Sequence, residues 1–505
     1  MTNKLQNFVE RHSLFLFFLI LLIGIYSRVR LIFDKTFPFT YDIGRDLLAL
    51  DSMVHQLDIP LIGPTTGLPG LFYGPWWYYS LVPAFIVGGG SPQIINLFMA
   101  LTGIIVIIVG FLIGKKVSGK AFGLILAVLL AFSPSLIAAA TQIWNPNIAP
   151  MYLIIIFLIL TLVVKSKKPL SMRRESLYII ALGLLAGLNI DSEVVYGLIL
   201  SFALFVFLSF SLFKKNIVKY LLFILGVLII FAPRIIFELR HDFIMTRTIT
   251  AMNHAGSDGI VSIIPNAFIN ALTALSQLWD LTIGIQSPLL ASILGLGAIG
   301  VVFYYFRTYS ESHRFLLKYS LISLLIYLIS LSFFQGDIWG HYIVGVPIFL
   351  LFIFATACWT LWRRKKLILL GAVVLFFVLI SQFDPAAMYS YYTLPQPPGN
   401  ASLYKNQEQV IDYVYQESHG KKFNEIVYTP PVHDYTYQYL FRWFGKKKYH
   451  YLPSTSKESL LFVILEPDIG YEGRLRDWLD ARKDDGKIVK EKTFPSGILV
   501  QTRLH

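Results

Sequence analysis

Apolar residues in this chain come in long runs, without the period-two or three-to-four spacing that would put one face of an element in water. Such runs cover residues 13–32, 94–114, 121–140, 148–164, 176–191, 194–213, 219–237, 286–306, 315–334, 341–361 and 367–383. Each is long enough for a helix to cross the hydrocarbon core of a bilayer, which takes roughly 17 to 25 residues. The pattern predicts a mainly α, polytopic transmembrane helix bundle of about eleven spans, since helices satisfy their own backbone groups inside lipid.

A further apolar stretch, 71–87, decides the orientation. If it does not cross and the N-terminus with Lys4 and Arg11 is cytoplasmic, the clusters Lys115/Lys116/Lys120, Lys165/Lys167/Lys168/Arg173/Arg174, Lys214/Lys215/Lys219, Arg307/Arg314/Lys318 and Arg363 to Lys366 all fall inside. That obeys the positive-inside rule; a crossing at 71–87 would violate it at every cluster. We therefore expect 71–87 to lie at the interface or to dip in and out of the bilayer on one side. The outer face then collects the loop 33–93, the turn Thr141 to Asn147, Asp191-Ser192-Glu193 as a solvated turn, the loop 238–285, the turn Gln335 to Gly340 and the C-terminus.

From Asp384 the pattern changes. After a proline-rich linker, 384–400, with Pro395, Pro397 and Pro398, polar and apolar positions alternate between helical and strand spacing. Helices are expected at Gln407 to Gln416, Tyr435 to Phe444 and Gly473 to Ala481, and strands at Glu425 to Tyr428 and Leu460 to Leu465, with two short strands closing the chain. This describes a small α/β extracytoplasmic domain, 401–505, following a transmembrane domain, 1–383.

Composition agrees with the pattern. At 505 residues, 55% hydrophobic and 14% charged, with mean hydropathy +0.62, the chain is too apolar for a soluble globular protein. Its net charge of +13 sits in short clusters between apolar runs, which reads as topology and not as a nucleic-acid surface. Cys358, the sole cysteine, lies inside an apolar run, so neither an intrachain disulfide nor a cysteine metal site can form. The first run is too long for a signal-peptide core and lacks a small-residue cleavage pattern, so it is read as a retained anchor.

Candidate chemistry concentrates in the first outer loop, which carries Asp34, Asp42, Asp46, Asp51 and Asp58. Asp42 and Asp46 share a face if their segment is helical. They either solubilise the loop or supply a general base whose pKa is raised by the neighbouring carboxylate and the low-dielectric slab. A Gly/Pro-rich stretch, Gly63 to Gly70, follows, and then the aromatics Phe72, Tyr73, Trp76, Trp77, Tyr78 and Tyr79, which suit the headgroup level. Arg234, Glu238, Arg240 and His241 form a second group near the outer end of a span. Arg234 either pairs with Glu238 or snorkels, or it holds a phosphate together with its neighbours. His341 and Tyr342 begin a late span after a polar turn.

Tyr41-Asp42-Ile43-Gly44-Arg45-Asp46 together with Gly74-Pro75-Trp76-Trp77-Tyr78-Tyr79, set after one N-terminal span and before many more, resembles the polytopic lipid-sugar-dependent glycosyltransferases. These are the protein O-mannosyltransferase and aminoarabinose transferase relatives, glycosyltransferase family 39 in the broad sense, with the GT-C fold. The resemblance covers roughly residues 10 to 380. It implies that Asp42 is the catalytic residue, with Arg45, Asp46, Asn145 and Asn147 in support, and that Arg234, Arg240, His241, His341 and Tyr342 meet the donor phosphate. It also implies a polyprenyl-phosphate sugar donor in the bilayer, a protein or glycolipid acceptor, inversion at the anomeric carbon and no nucleic-acid partner. Departures from the family pattern are Ile43, where relatives usually carry Glu, Tyr73-Gly74 before the loop proline, and Asn147 where the second outer loop commonly ends in Asp. Asparagine cannot titrate, so a divalent metal cofactor would be held more weakly than by paired carboxylates. A transporter or lipid flippase is the alternative; the lack of internal repeats and the one-sided placement of polar residues speak against it.

Overall fold

The computed structural model describes residues 2–165, 171–255, 274–276, 278–279, 281–284, 287–333, 340–364, 400–430 and 433–505. The expected span 367–383, nearly all of the linker 384–400, the turn 334–339 and the middle of the 238–285 loop lie outside these residues. In chain order the first helices are α1 (Thr2–Arg11), α2 (Ser13–Phe33), α3 (Tyr41–Gln56), α4 (Trp76–Gly88), α5 (Pro92–Ser118), α6 (Lys120–Phe132) and α7 (Pro134–Ala139). Then come α8 (Ala149–Val164), α9 (Met172–Ser192), α10 (Val194–Leu208), α11 (Ile217–Arg240), α12 (Ile244–Ala255), α13 (Pro288–Tyr305), α14 (Glu311–Ser332) and α15 (Pro347–Arg363). The C-terminal part adds α16 (Tyr404–Glu417), β1 (Asn424–Tyr428), α17 (Tyr435–Leu440), β2 (Leu460–Leu465), α18 (Glu472–Asp480), β3 (Lys487–Thr493) and β4 (Leu499–Leu504).

Contacts divide the chain into two compact units, one of Met1–Arg28, Pro60–Ser80 and Met99–Asp384 and one of Val29–Ile59, Leu81–Phe98 and Pro385–His505. This grouping cuts the chain differently from the compositional boundaries at 383 and 400, because residues that follow α2 pack with the C-terminal segment.

The first unit is a helix bundle. Among the described residues eight helices are long and apolar enough to cross a membrane. Their unburied faces are apolar, as at Leu14, Phe15, Phe18 and Leu22 of α2 and Leu221, Leu225 and Leu228 of α11, which suits contact with lipid. The expected span 121–140 is instead two pieces: thirteen-residue α6 and six-residue α7, broken at Ser133-Pro134. Pro134 has no N–H to offer the carbonyl of Leu130. Arg28 supplies the missing donors. It is fully buried and donates to Leu130 O at 3.1 Å and Ala131 O at 2.9 Å. A charged side chain inside the bundle is thus satisfied by the carbonyls at the end of a broken helix. Helix α4, within the 71–87 stretch, has thirteen residues. At 1.5 Å per residue it is about 20 Å long, too short for the ~30 Å hydrocarbon core.

The second unit contains a four-stranded sheet in the order β1-β2-β4-β3, with β1 and β2 parallel and the other neighbours antiparallel. Every residue of β2 is buried, as its unbroken apolar sequence requires of a central strand. Leu475, Trp478 and Leu479 of α18 pack against Leu461, Val463 and Leu465 on one face. Phe423 meets Phe462 and Tyr415 on the other. The elements expected here from sequence are all present, within a few residues of their expected ends.

Candidate functional site

Within the second unit, α3 brings Asp42, Arg45 and Asp46 together. The helix begins at Tyr41 after Thr40, whose extended backbone starts the first turn, and Asp42 occupies that turn, where the helix dipole favours a carboxylate. Arg45 bridges the two acids: Nη1 lies 2.8 Å from Asp42 Oδ1, while Nη2 and Nε lie 2.9 Å from Asp46 Oδ1. The shared face expected from the four-residue spacing is real, but the two acids are not alike. Asp46 is 1% exposed and anchors the guanidinium, whereas the Asp42 side chain is 24% exposed. Burial pushes the Asp42 carboxyl above its ordinary pKa, and the Arg45 charge only partly offsets this. The cation these carboxylates share is therefore an arginine of their own helix. Among the described residues no group of three or more His, Cys, Asp or Glu could hold a metal ion.

The C-terminal segment fixes α3. Gly44 faces α17 so closely that a Cβ would come within 2.4 Å of the Thr436 nitrogen and the Tyr435 carbonyl carbon, so only glycine fits. Arg442 Nε pairs with Asp51 Oδ2 at 2.6 Å, one turn beyond the Arg45 cluster. Tyr439 donates to Gly90 O, and Trp443 Nε1 donates to Gly89 O at 2.7 Å. Ahead of α3, Tyr404 stacks on Phe37, and the Tyr404 amide donates to Phe37 O at 3.1 Å. The ring of Tyr41 lies 6.3 Å from that of His433, which is stacked on Tyr435.

A second polar cluster lies within the first unit, and it corrects two expectations. Asp191 and Glu193, expected in a solvated turn, are 1% and 2% exposed. Arg234, for which sequence spacing offered Glu238 as partner, pairs with Asp191 at 2.9 Å. Glu238 instead accepts from the amides of Met245 and Thr246 and from the Thr246 hydroxyl. Asp191 also accepts the Trp76 amide at 3.1 Å, and Gly74 lies so close that any Cβ would collide with the carboxylate. Tyr73 donates to Glu193 at 2.7 Å, and the Trp76 indole donates to Ile230 O at 2.7 Å. The Gly74-Pro75-Trp76 motif is thus latched onto α9 and α11.

The remaining candidates belong to the same unit. Asn145 is buried and donates to Ser192 O, while Asn147 donates to Gln142 O at 3.1 Å. The Tyr342 carbonyl accepts from the Tyr327 hydroxyl at 2.8 Å, and its ring meets that of His341 edge-on. His341 packs edge-on against Trp144. Arg240 and His241 are exposed at the end of α11, His241 stacked on Phe237. Sequence reasoning missed the Asp191–Arg234 pair and the role of Arg28. The signal was available for the first, because Asp191 and Arg234 are charges at the ends of apolar runs, and such charges seek each other.

No protein-family model matches this sequence, and no curated protein sequence is similar to it. Solved structures do match. ArnT from Cupriavidus metallidurans in the apo state superposes with a TM-score of 0.58 at 13% identity, covering 97% of each chain. The same enzyme bound to undecaprenyl phosphate gives 0.56 at 13% identity, again over 97% of both chains. The apo oligosaccharyltransferase of Archaeoglobus fulgidus aligns at 0.47 and 15% identity over 86% of this chain and 60% of that one, too distant to define a shared fold. Over nearly its whole length this chain has the GT-C fold of the polytopic glycosyltransferases, with its helix bundle and small C-terminal domain.

Proposed function

We propose that this protein is an integral-membrane glycosyltransferase that moves a sugar from a polyprenyl-phosphate donor to an acceptor hydroxyl on the extracytoplasmic face. The observation that supports this most directly is Asp42: a part-exposed carboxylate, its pKa raised by burial, held by Arg45 on the first turn of α3 in a chain with the GT-C fold. Asp42 takes the proton of the acceptor hydroxyl as that oxygen attacks the anomeric carbon. The bond from the sugar to the polyprenyl phosphate breaks, the phosphate leaves as an anion, and the anomeric centre inverts. Asp46 and Arg45 act as positioning residues for Asp42. Arg240, His241, His341 and Tyr342 are assigned to the donor phosphate, and Arg234 adds its charge while paired with Asp191. Asn145 holds the backbone at the Asp191–Glu193 junction and Asn147 holds that of its own turn at Gln142. The acceptor is a hydroxyl on a protein or a glycolipid.

Membranes containing the protein, supplied with a panel of polyprenyl-phosphate sugars, test this reading. Cleavage of the sugar–phosphate bond that requires Asp42 supports it. Movement of an intact lipid-linked sugar across the bilayer, with no bond cleaved, would indicate a flippase instead.

A further inference from the structure

Within the first unit, α1, the α5–α6 junction, the segment around Tyr309 and the end of α15 line an open cavity of about 720 Å³. Its size falls in the range of small-molecule sites, about 300 to 1,000 Å³. Glu10, Ser118, Tyr309, Trp359, Trp362 and Arg363 line it. Lys115 and Lys116 in the last turn of α5, Lys120 at the start of α6, and Arg307 and Arg314 on either side of Tyr309 are close in sequence to these lining residues.

Several of these lining residues are fixed from behind. The Ser118 hydroxyl is 2.6 Å from His313 Nδ1, and His313, fully buried, has its Nε2 2.9 Å from Thr356 Oγ1. The Tyr309 hydroxyl is 2.8 Å from Thr360 Oγ1. Lys120 donates to the Glu10 carbonyl at 3.1 Å, tying α1 to α6 at the rim. Arg363 lies over the Trp359 ring, 4.7 Å from its centre, and among the described residues no carboxylate pairs with it. Stacking on the indole orients the guanidinium while leaving its N–H edge available to an anion.

A preorganised arginine beside two tryptophans, at the end of membrane-spanning helices and amid excess positive charge, matches one ligand chemistry. Tryptophan prefers the headgroup level, guanidinium matches a phosphodiester in shape and charge, and basic pockets between span ends attract anionic lipid headgroups. We propose that this cavity binds the phosphodiester headgroup of an anionic bilayer phospholipid, with Arg363 on the phosphate. The site is separate from the residues assigned to sugar transfer and does not depend on that assignment.

The full-length protein in detergent, delipidated and then exposed to phosphatidylglycerol or to phosphatidylcholine, can be read by native mass spectrometry. One phosphatidylglycerol should be retained per chain in preference to phosphatidylcholine. Arg363→Gln should weaken retention about fivefold, the effect of removing one cation near a lipid surface, while Lys214→Gln with Lys215→Gln, at a different basic turn, should leave it unchanged. Should Arg363→Gln not elute as a single peak, Trp362→Leu removes a cavity wall without changing charge and should also weaken retention. Equal retention of the two lipids by the unmodified protein overturns the proposal. So does an equal loss in the lysine double variant, which would mean diffuse attraction to a basic surface.

Discussion

Replacing Asp42 by asparagine should separate catalysis from folding, because the base role proposed for it and its contacts in the fold call for effects of very different size. The amide keeps an oxygen to which Arg45 can donate and loses only the charge. The Asp42–Arg45 pair is partly exposed, and Arg45 keeps its contacts to buried Asp46, so the lost ion pair costs no more than about 1 kcal/mol. An opposing effect reduces even that. Burial raises the Asp42 pKa, so the folded chain holds the Asp42 proton more tightly than the unfolded chain does. The stability this gives is present below the unfolded pKa and is lost as pH rises through the folded value. At neutral pH the charged form is therefore the less comfortable one, and asparagine relieves it. Sugar transfer responds differently: losing a general base costs about 10² to 10⁴ in rate. Turnover of a polyprenyl-phosphate sugar and the thermal midpoint, measured on the same preparation, should show the first collapse and the second stay within a few degrees. In the unmodified protein the acidic limb of the pH–rate profile should lie above the ordinary aspartate value, about 3.9. Turnover within threefold of the parent, or a midpoint that falls in step with activity, would refute the assignment.

Gly44→Ala should destabilise the second unit by about 1 to 3 kcal/mol and lower transfer, since the new methyl must push α3 off the backbone of α17; unchanged melting would mean that this contact is looser than described. Asp191→Asn leaves Arg234 buried without its carboxylate and should cost about 3 to 5 kcal/mol by thermal unfolding in detergent, with part of the loss recovered on adding Arg234→Met. Glu425 has its pKa raised from 4.5 to about 7, first by burial and then by Asp434, so its stability contribution is lost as pH rises across that interval. Glu425→Gln should flatten the pH dependence of unfolding between those values, and a profile unchanged from the parent would contradict it. Finally, with buried Cys358 replaced, Gly67→Cys should react with an impermeant thiol reagent in intact cells and Lys116→Cys should not, as the positive-inside reading requires; the reverse result would invert the topology.

Much of the architecture is written in the order of the residues. Span positions follow from run length, because a helix crossing lipid needs a fixed number of apolar residues, and the elements of the C-terminal domain follow from local periodicity. The grouping of Asp42, Arg45 and Asp46 follows from helical geometry, where residues three and four apart are neighbours. What the sequence could not supply is which distant partner satisfies each buried polar group. Sequence spacing offered Glu238 as the partner of Arg234, and only the packing of α9 beside α11 brought Asp191 to it. Nothing local marks Arg28 as the donor for the carbonyls left behind by Pro134, since those residues meet only across the bundle. Likewise the linker composition at 384–400 gives no hint that the C-terminal segment clamps the helix bearing Asp42, because a contact between Gly44 and Thr436 depends on how two backbones approach in space. Local spacing sets periodicity and length; long-range pairing of buried charges and close backbone contacts are decided by tertiary structure alone.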